Sequence, residues 1–95
     1  MSYRQAAHSF LAYLQFERNY SVHTLRNYRR DLEEFRRCLG QGPEEDVPLQ
    51  SVDHITIRDF LTQLQERGNS KTSMGRKLAA LRSFFRFAHK EGLVA

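Results

Sequence analysis

The sequence predicts an all-α domain of four helices arranged as two hairpins. Apolar residues recur at spacings of three and four through most of the chain, and strand-type alternation is nearly absent. Hydroxyl-bearing residues stand where two of the helices must begin. At 95 residues there is room for one modest core and none for a second domain closing over a substrate cleft, so residues 1–95 read as a single domain that is not an enzyme by itself.

The first helix is expected at about 3–18, with Ala6, Phe10, Tyr13, Leu14 and Glu17 along one side as core packing. Asn19 and Tyr20 form the turn. Ser21 is a good N-cap for a second helix at 21–39, and Tyr20 and Leu25 have the spacing of a hydrophobic staple. Leu25, Tyr28, Leu32, Phe35 and Leu39 give that helix its apolar stripe, and Gly40 stops it. Its other sides carry Arg26, Asn27, Arg29, Arg30, Arg36 and Arg37, for which Asp31, Glu33 and Glu34 are candidate intrahelical partners. Those acids begin only at Asp31, so the first two turns are basic without compensation.

Residues 40–55 read as a solvated linker, with Gly42, Pro43 and Pro48 as breakers and an acidic cluster at Glu44, Glu45 and Asp46. Three adjacent carboxylates do not make a cation cage. A third helix is expected at about 57–67: Thr56 and Asp59 fit a capping box, Ile55 and Phe60 a staple, and Ile57, Phe60, Leu61 and Leu64 an apolar side. Gly68 and Asn69 end it. Ser70 caps a fourth helix at 70–91, with Met74, Leu78, Leu81, Phe85 and Ala88 as its stripe and Phe84 at the border. Thr72, Arg76, Ala79, Ser83 and Arg86 lie roughly opposite, and Gly92 closes the helix. An internal echo at an offset of 49 sets Ser21 against Ser70, Leu32 against Leu81 and Phe35 against Phe84. Capped amphipathic helices resemble one another in any case, and two copies are too few for a solenoid.

The net charge is +4 and the isoelectric point about 9.6. From 67 to 90 there is no acid, although Arg67, Lys71, Arg76, Lys77, Arg82, Arg86 and Lys90 fall there. That distribution favours a polyanionic partner. The stretches 21–24 and 70–73 combine unpaired helix-start amides, a positive helix end and hydroxyl donors, all of which suit phosphate. Arg26, Asn27, Arg30, Arg76 and Lys77 follow within two turns, where they reach phosphate or base edges if these helices enter a major groove. Capping alone accounts for the serines; it does not account for the acid-free basic run.

Other classes have little support. Cys38 is the only cysteine, and His8, His23, His54 and His89 show no ligand spacing, so no metal or cofactor is expected. No small-molecule substrate site is read either. Neither a signal peptide nor a membrane-length apolar run is seen, which points to a cytoplasmic protein with no membrane partner. Ser21, His23 and Asp31 invite a triad, yet all three sit on one helix and cannot converge as nucleophile, base and orienter must.

Two pieces, FLAYLQFERNYSVHTLRNYRRDLEEF and IRDFLTQLQERGNSKTSMGRKLAALRSFFRFAHKEGLV, resemble the N-terminal core-binding domain of the Xer-type tyrosine recombinases, the XerC/XerD and phage-integrase group. The most specific motifs are YL..ER.YS..TL.NYRRDL at 13–32 and RKLAALRSFF at 76–85. The resemblance implies a SAM-like domain of two crossed helical hairpins that forms half of a clamp around duplex recombination-site DNA. The implied DNA contacts are Thr24, Arg26, Asn27, Arg30, Lys71, Thr72, Ser73, Arg76 and Lys77, with Ser21, His23 and Arg82 at the margin. Protomers of the same or a related recombinase, in a synaptic tetramer, are the implied protein partners. Gly75 departs from this pattern, since it removes a possible contact and weakens the helix by up to about 1 kcal/mol relative to Ala. The family's catalytic residues belong to a C-terminal domain not found in this sequence, so Tyr3, Tyr13, Tyr20 and Tyr28 are not read as the nucleophile and the chain reads as a fragment.

Two rivals follow from the same residues. A helical protein–protein interaction module predicts association through the basic face without DNA. A helix-turn-helix regulator predicts a dimer on half-sites about one helical turn apart.

Overall fold

A computed structural model describes residues 1–39 and 46–94. In chain order they form α1 (Tyr3–Phe16), α2 (Val22–Leu39), a 3-10 turn (Leu49–Ser51), α3 (His54–Glu66) and α4 (Lys71–Lys90). The expected breakers Gly40, Gly42 and Pro43, and the acids Glu44 and Glu45, lie outside the described residues.

Local chemistry accounts for most of the helix ends. Ser2 opens α1 with a capping box: its hydroxyl accepts from Gln5 N at 3.2 Å, while the Gln5 side chain accepts from Ser2 N at 3.0 Å. α1 stops at Phe16, two residues before the expected end. Asn19 takes a left-handed φ of 53° and Tyr20 N turns back to the Leu14 carbonyl at 3.0 Å, a conformation Asn tolerates better than most residues. Ser21 then caps α2 by accepting from Thr24 N at 3.2 Å. The second hairpin repeats the device with Gly68 at φ 85°, Asn69 N bonded to the Leu64 carbonyl at 3.0 Å, and Ser70 accepting from Ser73 N at 3.1 Å. Asn19 and Gly68 are 49 positions apart, as are Ser21 and Ser70. Leu32 and Leu81 are 2% and 1% exposed, and Phe35 and Phe84 are both 0% exposed, so the internal echo marks equivalent places in the two hairpins.

The start of α3 corrects the sequence expectation. The helix begins at His54 with Asp53 as its cap, accepting from Thr56 N and Thr56 Oγ1, each at 2.9 Å. Thr56 is therefore inside the helix and makes no capping box with Asp59. Asp outranks Thr as a cap, and its carboxylate also suits the positive helix end. The later part of the expected solvated linker is also tied down. Tyr3 N donates to the Val47 carbonyl at 2.8 Å, Leu49 N to the Met1 carbonyl at 3.0 Å, and Arg4 N to Asp46 Oδ1 at 3.0 Å. Leu49 is wholly buried. The apolar residues Val47, Leu49 and Val52 draw this segment onto the core, against the start of α1.

Asp53 also sets a pH dependence. Its carboxyl is held below the ordinary 3.8, first by the Thr56 backbone N–H and then by the Thr56 hydroxyl. Glu33 is held below 4.5, first by its bond from Arg36. Carboxylates depressed in the folded state stabilise it above their unfolded values and lose that contribution as the pH falls through their folded values. Asp53→Asn keeps a cap of similar quality without the charge. Its melting temperature is expected to fall less than the wild type's between about pH 7 and about pH 3; an equal fall in both proteins contradicts the assignment.

α2 and α4 pack against one another, and α1 and α3 each rest on both. Aromatic rings join all four helices. Phe84 of α4 meets Tyr3 and Phe10 of α1 at ring distances of 5.4 and 5.6 Å, while Phe35 of α2 meets Tyr3 at 6.0 Å and Phe60 of α3 at 5.1 Å. Phe84, expected at the border of its stripe, is at the centre, and Phe85 is the half-buried one. α4 touches three helices rather than one, so its apolar arc is wider than a single stripe.

Candidate nucleic-acid interface

Between them α2 and α4 leave a groove of about 240 Å³, lined by Thr24, Asn27, Tyr28 and Asp31 from α2 and by Arg76, Ala79 and Ala80 from α4. Three residues expected to touch DNA, Thr24, Asn27 and Arg76, thus come from opposite hairpins to one groove. Arg26 and Arg30 are exposed on α2, and Arg30 Nη2 donates to Asn27 Oδ1 at 3.4 Å. On the first turn of α4, Lys71 and Thr72 are exposed and Ser73 is half-buried. Gly75 follows, also exposed, and a Cβ built there meets nothing within 4 Å. Packing therefore does not demand this glycine; it leaves bare helix backbone between Lys71 and Arg76, open to close approach. Ser21 is committed to its cap and lies within 3.0 Å of Thr24 Oγ1, whereas His23 is exposed on the first turn. Arg82 is exposed farther along α4, about 120° around the helix from Arg76.

The acid-free run 67–90 is compensated in space by α2. Arg76 Nη1 donates to Asp31 Oδ2 at 2.6 Å, and Lys77 Nζ stands 2.7 Å from Glu34 Oε1 and 3.1 Å from Asn69 Oδ1. The two cations fare differently. The Lys77 side chain is 12% exposed and joins α4 to α2 through Glu34. The Arg76 side chain remains 44% exposed, so its guanidinium is both anchored and presented. Asp31 and Glu34 are consequently not the intrahelical partners expected; Glu33 alone takes that role among the described residues, with Arg36 at 2.7 Å and Arg37 at 3.9 Å. The pairing α4 needs comes from a segment some 45 residues earlier, which helical spacing does not reveal. One signal was available for the groove lining: Ala79 is a small residue on the otherwise polar side of α4.

The four tyrosines differ in burial. Tyr3 is 1% exposed and its hydroxyl donates to the Leu32 carbonyl at 2.7 Å. Burial, aided by the Glu33 charge, pushes its phenol far above the usual range, so it stays protonated. Tyr13, Tyr20 and Tyr28 line a recess of about 400 Å³ with Phe10, Phe87, Arg18 and Arg86, where the Arg18 guanidinium sits 5.7 Å from the Tyr20 ring centre. Ser21, His23 and Asp31 form no triad: Ser21 bonds to Thr24, Asp31 bonds to Arg76, and His23 is about 12 Å along the helix from Asp31. Among the described residues no group of three His, Cys, Asp or Glu is placed to hold a metal ion, and no helix is long and apolar enough to cross a membrane.

The family described as the phage integrase N-terminal SAM-like domain matches residues 7–92. A protein named tyrosine recombinase XerC from Listeria innocua serovar 6a is 40% identical over 85 residues, which is 90% of this chain and 28% of that protein. Proteins of the same name from Listeria monocytogenes serotype 4a and Thermodesulfovibrio yellowstonii are 42% and 40% identical over 86 residues, 90% of this chain and 28% and 27% of theirs. The chain thus spans less than a third of the length of these relatives. No solved structure matches it.

Proposed function

This chain belongs to the phage integrase N-terminal SAM-like domain family, and from that premise we propose that it is the non-catalytic duplex-binding part of a site-specific tyrosine recombinase. It forms half of a clamp around recombination-site DNA, and strand cleavage and rejoining are carried out by a separate C-terminal domain. The observation that carries this reading is the groove in which Thr24 and Asn27 of one capped, basic helix face Arg76 of the other. Arg26, Arg30, Lys71, Thr72, Ser73 and Lys77 flank it as phosphate and sugar contacts, with Ser21, His23 and Arg82 at its margin. Neither a cofactor nor a small-molecule substrate enters this role, which serves DNA integration and recombination or chromosome dimer resolution, and its working place is the cytoplasm.

A protein-contact role is favoured at a different place. Phe16, at the end of α1, is 74% exposed beside a shallow recess lined by Ala12, Tyr13 and Phe87. None of these residues borders the α2–α4 groove, so this face is free to pack against another recombinase protomer in a synaptic tetramer while DNA is held.

Amide shifts of isotope-labelled protein on adding a short duplex separate the two surfaces. The expected shifts cluster at 21–30 and 70–77. Shifts confined to α3 or to the surroundings of Phe16, or none at all, contradict the duplex-binding reading.

A further inference from the structure

Asp31 is an acid on a basic surface. Its carboxylate is 4% exposed and borders the α2–α4 groove, where it repels any phosphate that approaches. A tie between helices is not its whole account, because an apolar pair of similar volume often serves as well, and Lys77 with Glu34 already joins α4 to α2 at the next position. What Asp31 does change is Arg76. A guanidinium carries five N–H donors in one plane; Asp31 Oδ2 takes one on Nη1 at 2.6 Å, and the side chain stays 44% exposed. Among the described residues no other acceptor takes the remaining donors. An unrestrained arginine turns to phosphate and base edge alike, whereas one tethered at Nη1 offers its remaining donors over a narrower range of directions.

We infer that Asp31 is a positioning residue that holds the Arg76 guanidinium at the edge of the α2–α4 groove for a paired contact with O6 and N7 of a guanine. It thereby sets sequence preference and not overall affinity. This rests on the duplex-binding reading above.

The test is selection of preferred duplexes from a randomised pool, followed by competition with single-base changes. Asp31→Asn is expected to lose about tenfold preference for guanine at one position, while its affinity for scrambled duplex stays level or rises. Arg76→Ala loses the preference at the same position, and the double variant loses no more than Arg76→Ala alone. Arg76→Lys keeps the charge but not the fork: it is expected to lose the same guanine preference with an unchanged salt dependence, a readout that survives if Asp31→Asn fails to fold. Unchanged guanine preference in either Asp31→Asn or Arg76→Lys overturns the inference and leaves duplex binding standing. Absence of duplex binding by the wild type overturns both.

Discussion

Phe84→Ala is expected to destabilise the domain by about 3–5 kcal/mol, the range for truncating a buried aromatic in a packed core. Phe84 is wholly buried, and its ring lies 5.4 Å from Tyr3, 5.6 Å from Phe10 and 5.0 Å from Phe85. Its loss opens a cavity where α4 meets α1, and the surrounding rings are anchored on those two helices, whose backbones cannot simply close on it. Small domains have only about 5–15 kcal/mol in total, so the variant is expected to be largely unfolded at moderate urea. Urea titration followed by circular dichroism reads this directly, and a loss below about 1 kcal/mol contradicts the placement of Phe84 at the centre of the core. The same substitution at Phe16, which is 74% exposed, is the natural control and should leave stability nearly unchanged.

The double variant Arg26→Ala, Lys71→Ala is expected to weaken duplex binding about a hundredfold at about 0.1 M salt. Each phosphate neutralised on duplex DNA contributes about 0.9 to the slope of log affinity against log salt, which at that concentration amounts to about tenfold per contact. Both residues are exposed, one on each of the two basic helices. Neither is a member of the α2–α4 ion pairs, so the fold and the groove are expected to persist. Arg76 and Lys77 are poorer choices for this experiment, because their removal also strips Asp31 or Glu34 of a partner.

Local features of this fold were legible in the sequence. Serine caps at Ser21 and Ser70, turns at Asn19 and Gly68, and the stripes of α2 and α3 each depend on residues within a turn or two of one another, whereas on α1 Ala6, Phe10 and Leu14 are buried as expected and Glu17 is exposed past the helix end. Two kinds of feature were not. Where two caps competed, as with Asp53 and Thr56, spacing alone could not choose between them; the carboxylate won because it accepts two bonds from Thr56. Contacts between distant segments were also hidden. The clip of Val47 and Leu49 onto the start of α1, the central place of Phe84 and the pairing of Arg76 with Asp31 all join segments far apart in the chain. For the candidate site this means that its residues were readable as helix starts, while its electrostatics were not. A run free of acids in sequence was paired with acids in space: Arg76 with Asp31, and Lys77 with Glu34.

The central claim, that the two basic helix starts bind duplex DNA through phosphate neutralisation, is tested most directly by titrating a labelled recombination-site duplex at a series of salt concentrations with the wild type and the Arg26→Ala, Lys71→Ala variant. Wild-type affinity is predicted to fall linearly on logarithmic axes as salt rises, and the variant's slope to be shallower by about two. Wild-type binding that ignores salt, no binding even at low salt, or identical slopes for the two proteins would contradict the claim.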